Sequence, residues 1–267
     1  MDWVIERMID KEVNFKNPFN PKQVSIVSLD PNDVKCWVWW SKNFNDWIKK
    51  YEINKSLFDS YKGHYFQFTI NTPSELEGGL KTTLEERFEQ ANFLINHFGI
   101  EALNCRFDPI VTYRKTGSSK LFSNLNKFEY IIENLGRLGI KNLIFSFVTI
   151  YSKVKKRMLA RGKEIIDLPF EKKETIVMRM KKACDKQGIV LQACCQPDLL
   201  RLKGIEQASC IDVPKIERII GQRLKKEKDK GQRESCGCYK AKDIGGYDGI
   251  FRCKHNCDYC YASPARR

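Results

Sequence analysis

Short apolar segments rich in β-branched and aromatic residues recur along the chain, and each is followed by a longer stretch with helical spacing. None of these segments alternates polar and apolar residues over its whole length. That pattern favours strands covered on both faces, as in a parallel sheet. The predicted strands are Cys36–Trp40, His64–Ile70, Ala102–Phe107, Leu143–Ile150 and Ile189–Cys195.

The intervening segments predict helices. Leu84–Phe98 places its apolar residues on one stripe. Thr83 precedes this segment as a cap, and Glu86 three positions later completes a capping box. Comparable spacing predicts further helices at Met1–Lys11, Leu121–Leu138, Phe170–Lys186 and Pro214–Lys228.

The alternation of strand and helix predicts an α/β fold with right-handed crossovers. We expect a partial or complete (β/α) barrel of the TIM type, in which the chemistry lies at the carboxyl ends of the strands. Residues 1–213 are predicted to form the barrel-like domain. Residues 214–267 are predicted to form a helix and a cysteine-rich tail that closes on the barrel.

Composition narrows the class of protein. With 42% hydrophobic and 30% charged residues among 267, the chain can bury a core and is not disordered. No run of 18 apolar residues occurs, so no membrane partner is expected, and the absence of a signal-like N-terminus predicts a cytoplasmic location. The net charge of +14 fits either a nucleic-acid partner or the lysine-rich bias of an AT-rich genome.

The chain ends in a cysteine-rich segment. Cys253, Cys257 and Cys260 form a C-x3-C-x2-C motif. In a reducing compartment, clustered cysteines indicate metal ligands before disulfides. Three thiolates can hold a [4Fe-4S] cluster and leave one iron open. The alternative is zinc, with His255 or an upstream cysteine as a fourth ligand.

Further cysteines precede this motif, and they suggest a second metal site holding an auxiliary iron–sulfur cluster or zinc. Its predicted ligands are Cys195, Cys210, Cys236 and Cys238. The alternative is that Cys194 points into the core and Cys210 acts as a small buried hydrophobe.

The tail motif, with Tyr259 directly before its last cysteine, resembles the signature of the radical S-adenosylmethionine (SAM) superfamily. Nearly the whole chain resembles one uncharacterised bacterial and archaeal family with a radical-SAM-like cysteine cluster at its C-terminus. That family is loosely likened to spore photoproduct lyase, a DNA-repair enzyme. Besides the tail, the resemblance rests on Asn17–Val24, Trp37–Asn43, Tyr65–Thr69, Arg106–Ile110 and Ala208–Asp212.

The resemblance implies a radical SAM-type barrel and an enzyme that reductively cleaves SAM to a 5′-deoxyadenosyl radical. It also implies a [4Fe-4S] cluster on the three tail cysteines, SAM near Tyr259, a one-electron reductant of the ferredoxin or flavodoxin type, and an unknown substrate, with nucleic acid one candidate. The alternative is a non-enzymatic iron–sulfur or zinc module with a basic nucleic-acid-binding face.

The sequence departs from the pattern of these relatives in two places. Family members begin with a strand before the first helix, whereas Met1 opens directly on the helix, so we expect a barrel that lacks its first strand. The glycine-rich segment that binds the SAM amino group in ordinary radical SAM enzymes has no obvious counterpart. Gly78-Gly79 is only a weak match.

Polar residues in the predicted strands are further candidates. Gln67 and Thr69 share one face of their strand, where either SAM or neighbouring side chains would satisfy them. Arg106 and Asp108 lie at a strand end, with Pro109 expected to end the ladder. This pair would bind a carboxylate, ribose or phosphate, or would form an internal ion pair.

Two other groups of residues have open interpretations. Lys42 would meet an anionic substrate at the end of the first predicted strand, or would be a surface lysine. The tryptophans Trp37, Trp39 and Trp40 indicate core packing, with base stacking as the alternative.

Overall fold

Helices and strands alternate through most of the chain. The computed structural model describes residues 1–17, 20–228, 231–246 and 249–262, so Pro18 and Phe19 of the Asn17–Val24 segment lie outside it. The helices are α1 (Asp2–Asp10), α2 (Asn45–Ile53), α3 (Lys55–Asp59), α4 (Leu84–Phe98), α5 (Phe128–Arg137), α6 (Ser152–Ala160), α7 (Phe170–Lys186) and α8 (Val213–Ile220). The strands are β1 (Glu12–Asn17), β2 (Asn20–Ser28), β3 (Trp37–Ser41), β4 (His64–Thr69), β5 (Leu103–Ile110), β6 (Thr112–Lys115), β7 (Leu121–Ser123), β8 (Asn142–Phe147), β9 (Lys163–Ile165), β10 (Val190–Ala193) and β11 (Glu206–Gln207).

A six-stranded parallel sheet forms the centre of the molecule. Its strands lie in chain order, β3-β4-β5-β8-β10-β11, and every neighbouring pair is parallel. All five predicted strands are present in it, which confirms the α/β class. In the part of the chain that the structure describes, β3 and β11 are edge strands, so the sheet stays open and the expected complete barrel does not form.

The two faces of this sheet differ in chemistry. One face carries the aromatic residues of β4, β5 and β8, such as Phe66, Phe107 and Phe145, which pack into the main hydrophobic core. The opposite face carries Gln67 and Asn104, which are buried as well. Both faces of the central strands are therefore covered, as expected for a parallel sheet.

Two antiparallel sheets accompany the central one. Strands β1 and β2 form a hairpin after α1, and β7-β6-β9 form a three-stranded sheet. The sequence analysis predicted neither. None of the described helices has the length and apolar character needed to cross a membrane.

The helix predictions agree with the structure except at two places. The capping box of α4 is present, because the Glu86 amide donates to Thr83 Oγ1 (3.1 Å) and the Thr83 amide donates to Glu86 Oε2 (2.7 Å). The predicted helix Pro214–Lys228 is too long, since α8 ends at Ile220 and the next residue, Gly221, adopts a left-handed φ of 64°.

The predicted helix Leu121–Leu138 is wrong over its first part. Residues 121–123 pair with β6, and α5 begins only at Phe128. The cause lies in Asn124, whose side chain accepts a hydrogen bond from the Val111 amide (2.9 Å) and donates one to the Pro109 carbonyl (2.9 Å). Such side chain–backbone bonds compete with helix formation.

Two strand predictions also need correction. Pro109 does not end its ladder, because β5 shifts register after Phe107 and Ile110 then pairs with Phe147 of β8. A proline is tolerated at such an irregularity. Trp37 and Trp39 are buried as expected, but Trp40 is 55% exposed. It follows Trp39 directly in the strand and therefore points to the other face.

Candidate functional site

Polar side chains gather at the carboxyl ends of the parallel strands, the edge where open α/β sheets place their ligands. Lys42 follows β3, Asn71 follows β4, and Asp108 lies near the end of β5. Ser146 is on β8, and Cys194 comes directly after β10. Each of these five strands thus brings one polar or thiol side chain to the same edge of the sheet.

Arg106 and Asp108 form a buried ion pair. Arg106 Nη2 lies 2.5 Å from Asp108 Oδ2, and Ser146 donates a hydrogen bond to Asp108 Oδ1. Only 3% of the Arg106 side chain is exposed. Burial by itself would lower the pKa of Arg106, but the charge of Asp108 outweighs it and raises that pKa well above the usual value. The guanidinium therefore stays charged.

Arg106 also contacts residues of β3 and β4 and one of the cysteines. Its guanidinium lies 4.8 Å from the Trp40 ring centroid, and Nη1 lies 2.6 Å from Cys210 Sγ. Gln67 Oε1 is 3.5 Å from the same Nη1, while Gln67 Nε2 donates to the Cys210 carbonyl (2.6 Å). Thr69 is buried and lies in register with Arg106. Protein groups therefore satisfy the side chain of Gln67.

A second buried network surrounds the carboxylate of Glu77. Lys42 Nζ lies 3.0 Å from Glu77 Oε1, and Asn71 Nδ2 donates to the same oxygen over 2.9 Å. The Tyr259 hydroxyl donates to it as well. Lys42 and Asn71 also contact the Asp108 carbonyl, at 3.4 and 3.2 Å. This network joins the predicted residues Lys42, Asp108 and Tyr259.

The charges of this network stabilise one another. Burial by itself would raise the pKa of Glu77, but Lys42 and the hydrogen bonds from Tyr259 and Asn71 outweigh it, so the pKa lies below its usual value. Burial and the neighbouring Glu77 carboxylate raise the pKa of Tyr259 well above its usual value. Glu77 is therefore a carboxylate, and Tyr259 a neutral donor.

The cysteine tail docks on the loop after β4. The Gly79 amide donates to the His255 carbonyl (2.9 Å), the Asp258 amide donates to the Leu76 carbonyl (2.8 Å), and Glu77 pairs with Cys257 in an antiparallel bridge. A Cβ atom on Gly79 would stand 2.1 Å from the Lys254 carbonyl oxygen. Only glycine allows this close approach of the two backbones.

Basic side chains of the α6–β9 region also fix the tail. Asp258 is buried and pairs with Arg161 and with Lys163, the latter at 3.0 Å. Arg157 donates to the carbonyls of Cys260 and Ala262. The segment carrying the predicted metal ligands is thus attached at the carboxyl edge of the sheet.

The three tail cysteines differ in exposure. Cys257 is buried, Cys260 is half-buried and Cys253 is exposed. Burial raises the pKa of Cys257 to about 12 and also raises that of Cys260. In the described part of the chain, no three His, Cys, Asp or Glu side chains already stand in a metal-binding arrangement.

A cavity of about 200 Å³ lies beside the docked tail. Three polar atoms of its lining residues, Glu77 Oε2, Thr82 Oγ1 and Arg87 Nη2, are buried and have no hydrogen-bond partner among the described residues. Arg87 is held in place because its Nη1 donates to the Asn71 carbonyl (3.0 Å). The cavity is lined by Pro73, Ser74, Glu77, Gly78, Leu80, Lys81, Thr82 and Arg87.

The upstream cysteines form a separate group next to Arg106. Cys194 Sγ lies 3.7 Å from Cys210 Sγ, and Cys238 Sγ accepts a hydrogen bond from the Cys210 amide (3.1 Å). Cys236 packs against the cluster of Cys210 and Cys238, and its thiol donates a hydrogen bond to Gln232 Oε1 (2.6 Å). Hydrogen bonds from Cys195 and Cys210, with help from Arg106, lower the pKa of Cys194. Cys194 therefore belongs to this group.

The model of one protein family matches residues 1–262 of the chain, almost its full length. That family is described as a domain of unknown function, DUF1848. The chain belongs to it. No curated protein and no solved structure matches.

Two residues of the candidate site, Glu77 and Arg87, were not predicted from the sequence. The available signal was the Glu77-Gly78-Gly79 segment in the loop after β4, which by itself is only a weak glycine motif. The structure shows the role of this segment, because the backbones of Gly79 and Glu77 both pair with the cysteine tail.

Proposed function

We propose that the chain is a radical SAM-type enzyme in which Cys253, Cys257 and Cys260 hold a [4Fe-4S] cluster. The observation that carries the proposal is the docking of this cysteine loop beside a cavity lined by two buried charged groups, each with one atom that lacks a partner, Glu77 Oε2 and Arg87 Nη2. The chain-order parallel sheet supports a partial barrel of the radical SAM type. Bound there, the cluster would supply the electron that cleaves SAM reductively.

The donor set fits the cluster in number and chemistry. Three thiols within eight residues suit three irons of a cubane and leave one iron for a ligand. The loop is fixed on both sides, by Gly79 through its backbone and by Arg157 through the Cys260 carbonyl. Cys253 remains exposed, so the loop can accept a cluster from solution.

The cavity fits the amino-acid end of SAM. Glu77 Oε2 is an acceptor suited to an ammonium group, and Arg87 Nη2 is a donor suited to a carboxylate. Leaving a buried polar atom without a hydrogen-bond partner is costly, and a zwitterionic ligand would satisfy Glu77 Oε2 and Arg87 Nη2 at once. Glu77 and Arg87 are thus the proposed binding residues, while Tyr259 holds the Glu77 carboxylate in place.

Positive charge on the surface near the cysteine tail supports the proposed classes of partner. Lys153, Lys155 and Lys156 are exposed on α6, the helix whose Arg157 contacts the tail. A basic surface beside the cysteine loop favours an anionic partner. We propose an acidic one-electron reductant of the ferredoxin or flavodoxin type, with nucleic acid as a candidate substrate.

The test is anaerobic reconstitution with iron and sulfide, followed by dithionite and SAM. We expect about four irons and four sulfides bound at the tail, a SAM-dependent change in the electron paramagnetic resonance of the reduced cluster, and release of 5′-deoxyadenosine. Cys257→Ala should abolish all three. Cys184→Ala removes another buried thiol, on α7, and should abolish none.

Glu77→Gln and Arg87→Met test the cavity. Both variants should keep iron and sulfide but weaken SAM binding, because each removes one charge that the ligand would pair with. About one zinc per chain, without sulfide or SAM cleavage, would overturn the proposal and favour a non-enzymatic zinc module.

A further inference from the structure

Five cysteines lie together on the polar face of the sheet, away from the tail motif. Cys194 follows β10, Cys210 follows β11, and Cys236 and Cys238 come from the segment after α8. Cys195 adds a fifth thiol at a positive φ of 51°, a conformation uncommon outside glycine. Three separate stretches of chain thus deliver thiols to one place.

The distances suit a single ion. Four thiolates at about 2.3 Å around a tetrahedral zinc ion stand about 3.8 Å from one another. Cys194 Sγ and Cys210 Sγ are 3.7 Å apart. In an iron–sulfur cubane each thiolate binds a different iron, so the sulfurs stand further apart than on one ion. The observed spacing therefore fits two thiolates on one metal ion better than two thiolates of a cubane.

Arg106 distinguishes this group from ordinary buried cysteines. Its buried guanidinium places Nη1 2.6 Å from Cys210 Sγ, although a neutral thiol has little need of a cation. A zinc ion with four thiolates carries two net negative charges, and a buried guanidinium that donates N–H to sulfur stabilises it. Asp108 on the far side of Arg106 fixes the direction of that donor.

We propose that Cys194, Cys210, Cys236 and Cys238 bind one zinc ion, with Arg106 as the hydrogen-bonding partner of the thiolates. The site joins β10 and β11 to the segment before the tail. The thiols are neighbours rather than a closed shell, and that of half-buried Cys236 donates to Gln232 instead, so zinc uptake turns the Cys236 side chain inwards. The proposal goes beyond the proposed function and does not depend on it.

The experiment separates this site from the tail. The full chain with Cys253, Cys257 and Cys260 all replaced by Ala is purified under reducing conditions, and zinc, iron and sulfide are counted. We expect about one zinc per chain and no sulfide. Cobalt substituted for zinc should show thiolate charge-transfer absorption.

Further variants are made in that background. Cys210→Ser with Cys238→Ser should abolish zinc and the cobalt spectrum, whereas Cys105→Ser, a buried thiol on β5, should change neither. Cys236→Ser removes a half-buried ligand and should bind zinc more weakly with the fold intact by circular dichroism. Arg106→Met should weaken zinc binding about tenfold.

Three results would overturn the proposal. The first is that the variant without the three tail cysteines binds no metal. The second is that the same variant binds iron with sulfide instead of zinc, which would assign an iron–sulfur cluster to these thiols. The third is a disulfide among these cysteines in the reduced protein, detected by mass spectrometry. Failure of SAM cleavage bears on the tail alone and leaves these readouts unaffected.

Discussion

The amide of Gly79 donates a hydrogen bond to the carbonyl of His255 over 2.9 Å, and this contact joins the loop after β4 to the cysteine tail. The two residues are far apart in sequence, and the lack of a side chain at Gly79 lets the backbones meet. The docking of the tail therefore depends on one glycine.

Gly79→Ala should release the tail. The added Cβ would lie 2.1 Å from a backbone oxygen of Lys254, which cannot move without displacing the segment. We expect faster hydrogen exchange at residues 253–260 and faster proteolysis there. Gly245→Ala is the control, since its Cβ meets only the Asp243 side chain, at 3.3 Å. Unchanged exchange in Gly79→Ala would show that the contact is dispensable.

Glu77→Gln should destabilise the fold by about 3 kcal/mol, because it leaves the largely buried ammonium of Lys42 without its counter-charge. Urea unfolding at neutral pH measures the loss. Glu75→Gln is the matched control two residues away. Its partner Lys115 is exposed at 3.0 Å, so less than about 1 kcal/mol should be lost. Equal losses of unfolding free energy in the two variants would show that the buried Glu77–Lys42 pair contributes no more to stability than the exposed Glu75–Lys115 pair.

The same carboxylate predicts a pH dependence. The pKa of Glu77 in the folded protein is lowered below the ordinary value of 4.5. Its contribution is therefore present above pH 4.5 and is lost as the pH falls through the folded value. The difference in unfolding free energy between the wild type and Glu77→Gln should shrink below pH 4.5. A constant difference would contradict the assignment.

Arg106 and Asp108 should show strong energetic coupling. A double-mutant cycle with Arg106→Gln and Asp108→Asn should give about 2–3 kcal/mol, since the pair lies at 2.5 Å and Arg106 is almost fully buried. The exposed pair Arg218–Glu101, at 2.8 Å, should give less than about 1 kcal/mol in a parallel cycle. Coupling of similar size in both cycles would mean that burial adds nothing to the Arg106 pair.

Local patterns accounted for the elements whose signals are contiguous in sequence. The capping box of α4 needs only Thr83 and Glu86, and the buried strand β4 needs only its own six residues. The hairpin of β1 and β2 was missed because its strands lack a continuous apolar run and pair mainly with each other. Trp40 was misassigned because Trp37, Trp39 and Trp40 were treated as one group, although Trp39 and Trp40 are neighbours in the strand and face opposite ways.

The contacts within the candidate site could not be predicted from the sequence, because they depend on strand register and on the docking of the cysteine tail. Gln67 and Arg106 were recognised from their strands, but the register of β4 against β5 decides that they meet. Glu77 and Tyr259 lie 182 positions apart, and no local pattern relates them. Arg87 is on a helix face that periodicity assigns to the core, so its role beside the cavity could be found only in three dimensions.

His64 should make folding stability depend on pH in a second range. Its Nδ1 accepts a hydrogen bond from Trp39 Nε1 (2.9 Å), and its Nε2 lies 2.9 Å from the Phe58 carbonyl, so the neutral ring satisfies both contacts. Burial lowers the pKa of His64 from 6.5 to about 4, against a smaller opposing effect of that carbonyl.

Because the folded pKa is depressed, the contribution of the neutral His64 ring is fully present above pH 6.5 and is lost as the pH falls towards about 4. A shift of this size corresponds to about 3 kcal/mol. Urea unfolding of the wild type should therefore lose stability across that window, and His64→Gln should lose less. His97→Gln, at an exposed position on α4, should follow the wild type. If the unfolding free energies of the wild type and His64→Gln changed in parallel with pH, the prediction would be wrong. A histidine whose pKa is lowered by burial makes the wild type lose more stability than His64→Gln as the pH falls.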